Sequence, residues 1–303
     1  MTTPLQVREA TANLNVYGRG DRRAPHKPLL LLVLLGRLQA GDPGTLSFDE
    51  ATRALLPLLE RYAPPVKGRH QPELPYWHLQ SDGLWEVEHA RDLPLQNGGF
   101  PLLGALRATT GKIPADVASS FRAEPALIDD CAKILLDRHF PQTLHDSIAN
   151  AVGLVLGDPG ETSRVGRRKR DPAFRADVLR AYEHRCAATG FRAALEGTYF
   201  GVEAAHVRAH CWDGPDDVAN GMALTPTLHR LFDHGAWSLT DDRRVLVSAQ
   251  FTGSDQAVTM LRDLHGRPLR DPLPGHTRID HGFIRWHRER QHGGVFRTPA
   301  LPL

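Results

Sequence analysis

A chain of 303 residues, 41% hydrophobic and 24% charged, is long enough for two domains with separate cores and excludes disorder on a chain-wide scale. Its net charge of +2 is too small to coat the surface with positive potential, so contact with an anionic polymer has to rest on cations placed locally. The apolar run Pro28–Leu35 falls far short of the roughly 18–20 residues of a membrane span, and the start MTTPLQVREA lacks the basic-then-apolar build of a secretory signal. A cytoplasmic chain without a membrane partner is expected.

The N-terminal half reads as mostly helical. Ala24-Pro25-His26-Lys27-Pro28 leads into the apolar run, and Gly41 with Pro43 closes that helix. Ser47 and Glu50 stand at capping-box spacing before a second helix, whose buried stripe is Leu55, Leu56, Leu58 and Leu59. Pro57 is expected to kink or divide it. In Tyr76–Glu88 apolar and polar residues alternate on both sides of Asp82-Gly83, which predicts a β-hairpin. Helical patterns return over Pro125–Phe140 and from about Gln142 to Leu156.

Residues 158–172 read as a linker between a first domain, 1–157, and a second, 173–303. The linker is basic through Arg167, Arg168, Lys169 and Arg170. Such a run is either a solvated tether or, if the flanking domains engage a polyanion, a set of phosphate contacts. Cys131, Cys186 and Cys211 are widely spaced, which excludes a four-cysteine zinc site and argues against a disulfide framework.

The second domain opens on a helical pattern, Phe174–Arg185. A short strand, Val202–Val207, ends in His206; a polar loop follows; Asn220–Leu224 reads as a second strand; and Thr225–Gly235 begins like a helix and stops at glycine. This is a ββα unit with chemistry on it. Phosphodiester hydrolysis requires a base for water and positive charge for the phosphorane. His206 at a strand end suits the base, and Asn220 can fix the loop by backbone hydrogen bonds. His229 and Asp233, four apart on one helix face, can hold a divalent metal.

Ala204-Ala205-His206, Asn220-Gly221-Met222-Ala223-Leu224 and Leu228–Asp233 resemble the HNH (ββα-metal) domain of modification-dependent restriction endonucleases. The resemblance implies general base, loop-shaping and metal-binding roles for His206, Asn220 and His229 respectively. It implies a divalent cofactor, magnesium or manganese, with cobalt, nickel and zinc as further fits. Many such enzymes carry an Asp or His ligand just before the base, where this chain has Ala205, so Asp233, Glu203 or His234 has to substitute. The paired zinc cysteines of many relatives are also missing. The tail, with Leu264–Leu269 and Trp286–Glu289, is expected to pack on the nuclease.

In the first domain, Arg23–Leu32 and Leu74–Trp85 resemble the sulfur-binding domain of phosphorothioate-dependent restriction enzymes. Sulfur is larger and softer than oxygen and a poorer hydrogen-bond acceptor. An apolar cup therefore costs a phosphate oxygen roughly 1–3 kcal/mol in lost hydrogen bonds and costs sulfur less. Pro75, Tyr76 and His78 could line the cup, with Arg23, His26 and Lys27 holding the rest of the phosphate. Trp77, Leu79, Trp85 and Val87 read most simply as core residues on one face of the hairpin. The expectation is an α+β chain: a mainly helical DNA-recognition domain with a small β-hairpin, then an HNH nuclease, acting as a homodimer on phosphorothioate-modified double-stranded DNA. Two rivals stay open: an HNH nuclease directed to a methylated base, and an inactive modified-DNA-binding regulator, which Ala205 favours.

Overall fold

The computed structural model describes residues 2–19, 22–96, 99–157, 172–289 and 294–303; Arg167, Arg168, Lys169 and Arg170 lie outside them, as does the side chain of Arg23. By residue contacts the chain divides into Met1–Gly18 with Arg23–Arg168, and Arg19–Arg22 with Lys169–Leu303. No helix among the described residues is long and apolar enough to cross a membrane.

In the first unit, α1 (Pro4–Ala12) starts at a Thr3/Gln6 capping box; the pair β1 (Gly18–Arg19) and β2 (Arg22–Arg23) that follows is divided between the units. Helix α2 (His26–Gln39) holds the apolar run. Leu29, Leu30, Leu32, Leu34 and Leu35 are all fully buried, as suits a helix that is apolar all round and surrounded by others. Strand β3 (Thr45–Ser47) leads into α3 (Phe48–Tyr62), which begins at the expected Ser47/Glu50 capping box. Pro57 does not divide α3, because Ala51 and Leu55 before it and Leu58, Leu59 and Tyr62 after it are buried in one core.

The stretch 76–88 is not a hairpin. It is α4 (Glu73–His78), a 3-10 turn over Leu79–Asp82, and the two-residue β4 (Glu86–Val87). Pro72 and Pro75 suit a helix start, and Tyr76 and Leu79, three apart, are the buried pair; over so short a window this spacing and strand alternation cannot be told apart. Gly83 does turn the chain, at φ 72°, but it ends the 3-10 turn. Next come α5 (Leu103–Leu106), β5 (Thr110–Lys112), α6 (Ala115–Ala123), α7 (Ala126–His139) and α8 (His145–Ala151). The unit's small antiparallel sheet has the order β3-β5-β4, with Gly111 opposite both Leu46 and Val87.

In the second unit, α9 (Pro172–Ala181) precedes the hairpin β6 (Ala193–Leu195) and β7 (Thr198–Phe200). Strand β8 (Glu203–His206) pairs antiparallel with β9 (Gly221–Leu224), and α10 (Pro226–Asp233) follows, which makes the expected ββα unit. The antiparallel pair β10 (Trp237–Leu239) and β11 (Val245–Val247), then α11 (Asp255–Arg262) and α12 (His281–Arg288), complete it.

His287 stacks on Phe232 of α10 at 3.6 Å, donates from Nε2 to Phe232 O, and accepts at Nδ1 from Ser238 Oγ. Burial lowers its pKa to about 3. The folded ring stays neutral while the unfolded one takes a proton below about 6.5, so this stability is complete above pH 6.5 and is lost as pH falls toward 3. Between pH 7 and 5 the unit is expected to lose up to ~2 kcal/mol from this one group. Thermal melts would read this as a drop that shrinks in His287→Gln; equal pH sensitivity in both proteins would refute it.

Candidate active site

Alternation along β8 sends Glu203 and Ala205 to one face and Ala204 and His206 to the other. The contacts agree: the His206 ring stacks on Phe174 of α9, with centroids 4.0 Å apart, while Glu203 Oε2 lies 3.0 Å from Nδ1 of His229 on α10. Ala205 is fully buried in the unit's core.

His206 Nε2 donates to Asp216 Oδ1 at 2.8 Å, and His210 Nε2 lies 3.7 Å from Oδ2 of the same carboxylate. A carboxylate only accepts, so the shared proton sits on Nε2, and the basic nitrogen of the neutral ring is Nδ1. Asn220, fully buried just before β9, ties the intervening loop together. Its Oδ1 accepts from Arg208 N at 2.8 Å, and its Nδ2 donates to Arg208 O and Pro215 O, both at 2.9 Å. A Cβ on Gly214 would lie 1.8 Å from Arg208 O, so this knot requires glycine there.

His229 is flanked on both edges, by Glu203 at Nδ1 and by Asp233 Oδ2 at 3.5 Å from Nε2. The hydrogen bond from His229 holds the Glu203 carboxyl below the usual carboxylate range against the opposing effect of burial. Among the described residues no group of three or more His, Cys, Asp or Glu could by itself hold a metal ion. His206 and His229 therefore belong to two histidine–carboxylate sets, joined by the β8–β9 pair. Asp216 and Glu203 complete those sets. Asp216 had no sequence signal that set it apart from Asp213 and Asp217 in the same loop.

In the first unit His26, Lys27 and His78 gather where α2 starts and α4 ends. Lys27 donates to Asp82 Oδ2 at 2.6 Å and to Ser81 Oγ at 3.2 Å, with both ion-pair side chains buried. Burial lowers the His26 pKa to about 4, aided by His70, whose ring centre is 5.9 Å away. Partial desolvation, then the Lys27 charge, lowers that of His78, which still meets solvent. Pro75 and Tyr76 are both buried. Tyr76 is 1% exposed, its hydroxyl meets Thr109 Oγ1 at 3.2 Å, and its carbonyl accepts from Trp85 Nε1. These bonds satisfy its polar atoms inside the core, and Pro75 is buried beside it. Leu79, Trp85 and Val87 are core residues too.

A strand pair and helix carrying His206, Asn220 and His229 in this order define a ββα nuclease unit, and residues 186–240 match the HNH endonuclease family. Residues 5–156, just over half of the chain, match the ScoMcrA-like DNA sulfur-binding domain. The chain therefore belongs to the ScoMcrA-like DNA sulfur-binding family and, through its HNH domain, is a DNA endonuclease. No curated protein matches it. Among solved structures it is similar to the sulfur-binding domain of ScoMcrA complexed with phosphorothioated DNA (27% identity, 48% of this chain and 94% of that one, TM-score 0.43). It is also similar to the type IV phosphorothioation-dependent restriction endonuclease ScoMcrA (26% identity, 48% of this chain and 27% of that one, TM-score 0.41). A third similarity is to the modification-dependent TagI restriction endonuclease (26%, 46% and 42%, TM-score 0.30).

Proposed function

We propose that the chain binds phosphorothioate-modified double-stranded DNA through residues 5–156 and hydrolyses a nearby phosphodiester bond through the HNH unit, as a homodimer matched to the two-fold symmetry of the duplex. The observation that carries the chemistry is the pair of histidine–carboxylate sets on one ββα unit. His206, oriented by Asp216 and Phe174, accepts at Nδ1 the proton of the attacking water. Asn220 keeps the loop between the strands folded and so fixes Asp216 relative to His206.

His229 and Asp233 fit a divalent cation. Glu203 holds the proton on Nδ1 of His229, which directs the Nε2 lone pair toward the Asp233 carboxylate, the arrangement of a histidine ligand backed by a carboxylate. Two protein ligands leave most positions to water and DNA phosphate, as suits magnesium or manganese. When bound, the cation would neutralise charge on the phosphorane and the leaving oxygen. Ala205 supplies no ligand, and this scheme does not need one from it.

A paired assay with manganese tests the proposal, using one duplex with a phosphorothioate linkage and the same duplex without it, each read by band shift and by cleavage. Cutting confined to the sulfur-bearing duplex is the expected result. Equal cutting of both would remove the sulfur reader and reopen the methylated-base reading; selective binding without cutting would leave an inactive regulator.

A further inference from the structure

A cleft of about 290 Å³, including its open mouth, lies between α9 and the β6–β7 hairpin, lined by Arg175, Leu179, His184, Tyr199, Phe200 and Val202. Among the described residues no carboxylate lines its walls. The hairpin is unusually apolar for a solvated element: Leu195 is 70% exposed, Phe200 54% and Tyr199 41%, with Phe191 beside them at 45%. One hydrophobic residue at a surface needs no explanation, but an aromatic cluster rimmed by cations does.

The cluster is built rather than loose. His184 stacks on Tyr199 at 4.4 Å and 13°, and the Arg192 guanidinium lies 4.5 Å from the Tyr199 ring centre. Glu183 and His184 carry the chain out of α9 with φ values of 52° and 56°, a left-handed conformation that non-glycine residues adopt when their surroundings impose it. That conformation sets the His184 ring against the hairpin. The cleft also adjoins the candidate site: Val202, in its wall, directly precedes Glu203, whose carboxylate lies 3.0 Å from Nδ1 of His229.

Exposed rings, cations and no carboxylate in the walls match a nucleobase and its phosphate. We propose that this cleft takes one unstacked base of the DNA strand that enters the HNH site, with Phe200 as the stacking face and Arg175 and Arg192 against the adjoining phosphate. The inference rests on the nuclease reading of this unit. Drawing a base out of a duplex breaks its stacking and pairing, and stacking on an aromatic face offsets that loss. The cleft thereby distorts the strand beside the bond to be cut and makes mismatched or nicked sites better ligands.

The test uses the full chain in EDTA, so that cutting cannot occur. Its probes are phosphorothioate duplexes with 2-aminopurine, which brightens on leaving the base stack, placed at one position at a time. The wild-type chain is expected to brighten one position near the linkage. Phe200→Ala should abolish that signal and weaken binding roughly 5- to 100-fold, while Phe200→Trp keeps both. Phe200 is exposed, so neither change threatens the core. Absence of brightening at every position, or a Phe200→Ala protein that brightens and binds like wild type, overturns the inference. It is also overturned if Phe200→Ala turns a dimer into a monomer with brightening intact, which would make a second copy the occupant. A wild-type chain that cuts modified DNA with manganese yet brightens nothing fails here alone; one that neither binds nor cuts fails in its proposed function.

Discussion

Replacement of His206 by alanine is expected to lower the cleavage rate by about 10²–10⁴-fold and to leave binding of the phosphorothioate duplex unchanged. The ring is fixed on two sides, by Phe174 at 4.0 Å and by Asp216 at 2.8 Å, so its basic nitrogen is held in one place. Removing it deletes the proton acceptor and leaves His229 between Glu203 and Asp233. Modified-DNA binding is assigned to residues 5–156, which contain none of these groups. Single-turnover cleavage and a band shift on the same preparation separate the two effects. A variant that cuts within a few-fold of the wild-type rate would show that the base lies elsewhere.

The second large effect is on stability. Gly111→Ala is expected to destabilise the first unit by about 3 kcal/mol or more, lowering its melting temperature by roughly 6–12 °C, with the melt of the second unit unchanged. Gly111 occupies the middle of the three-stranded sheet, and a Cβ there would lie 1.9 Å from Cζ2 of Trp85. The indole has no room to move: Trp85 is 1% exposed, bonds through Nε1 to Tyr76 O and packs edge-on to the Tyr76 ring at 5.5 Å. Calorimetry resolves the two transitions. A first-unit transition within a degree of wild type would mean that the sheet shifts to accept the methyl group.

The nuclease unit was legible in the sequence because its chemistry constrains residue type and spacing together. His206, Asn220 and His229 stand in order at strand and helix boundaries that glycine and proline mark. The carboxylate partners were harder to read. Asp216 is one of several acids in a polar loop, and Glu203 gains its meaning from strand alternation that aims it at α10. The recognition unit was legible in its helices and misleading at 76–88, where the spacing of a few aromatic residues fits a strand as well as a helix. The exposed β6–β7 hairpin gave no signal, since apolar residues facing solvent follow neither period. Proline marked breaks well at helix ends and poorly at Pro57, where a surrounding core outweighs one missing hydrogen bond.

The buried pair of Lys27 and Asp82 has a consequence for how DNA binding responds to ionic strength. A lysine that meets a phosphate strengthens binding mainly by setting free the counterion it displaces from DNA, and each such contact steepens the fall of affinity with added salt. Lys27 already has its neutralising partner at 2.6 Å, with side chains 10% and 4% exposed. Docking DNA over the start of α2 would exchange one anion for another at that lysine and add little to the salt slope. In the absence of DNA the same pair ties the first turn of α2 to the turn over Leu79–Asp82.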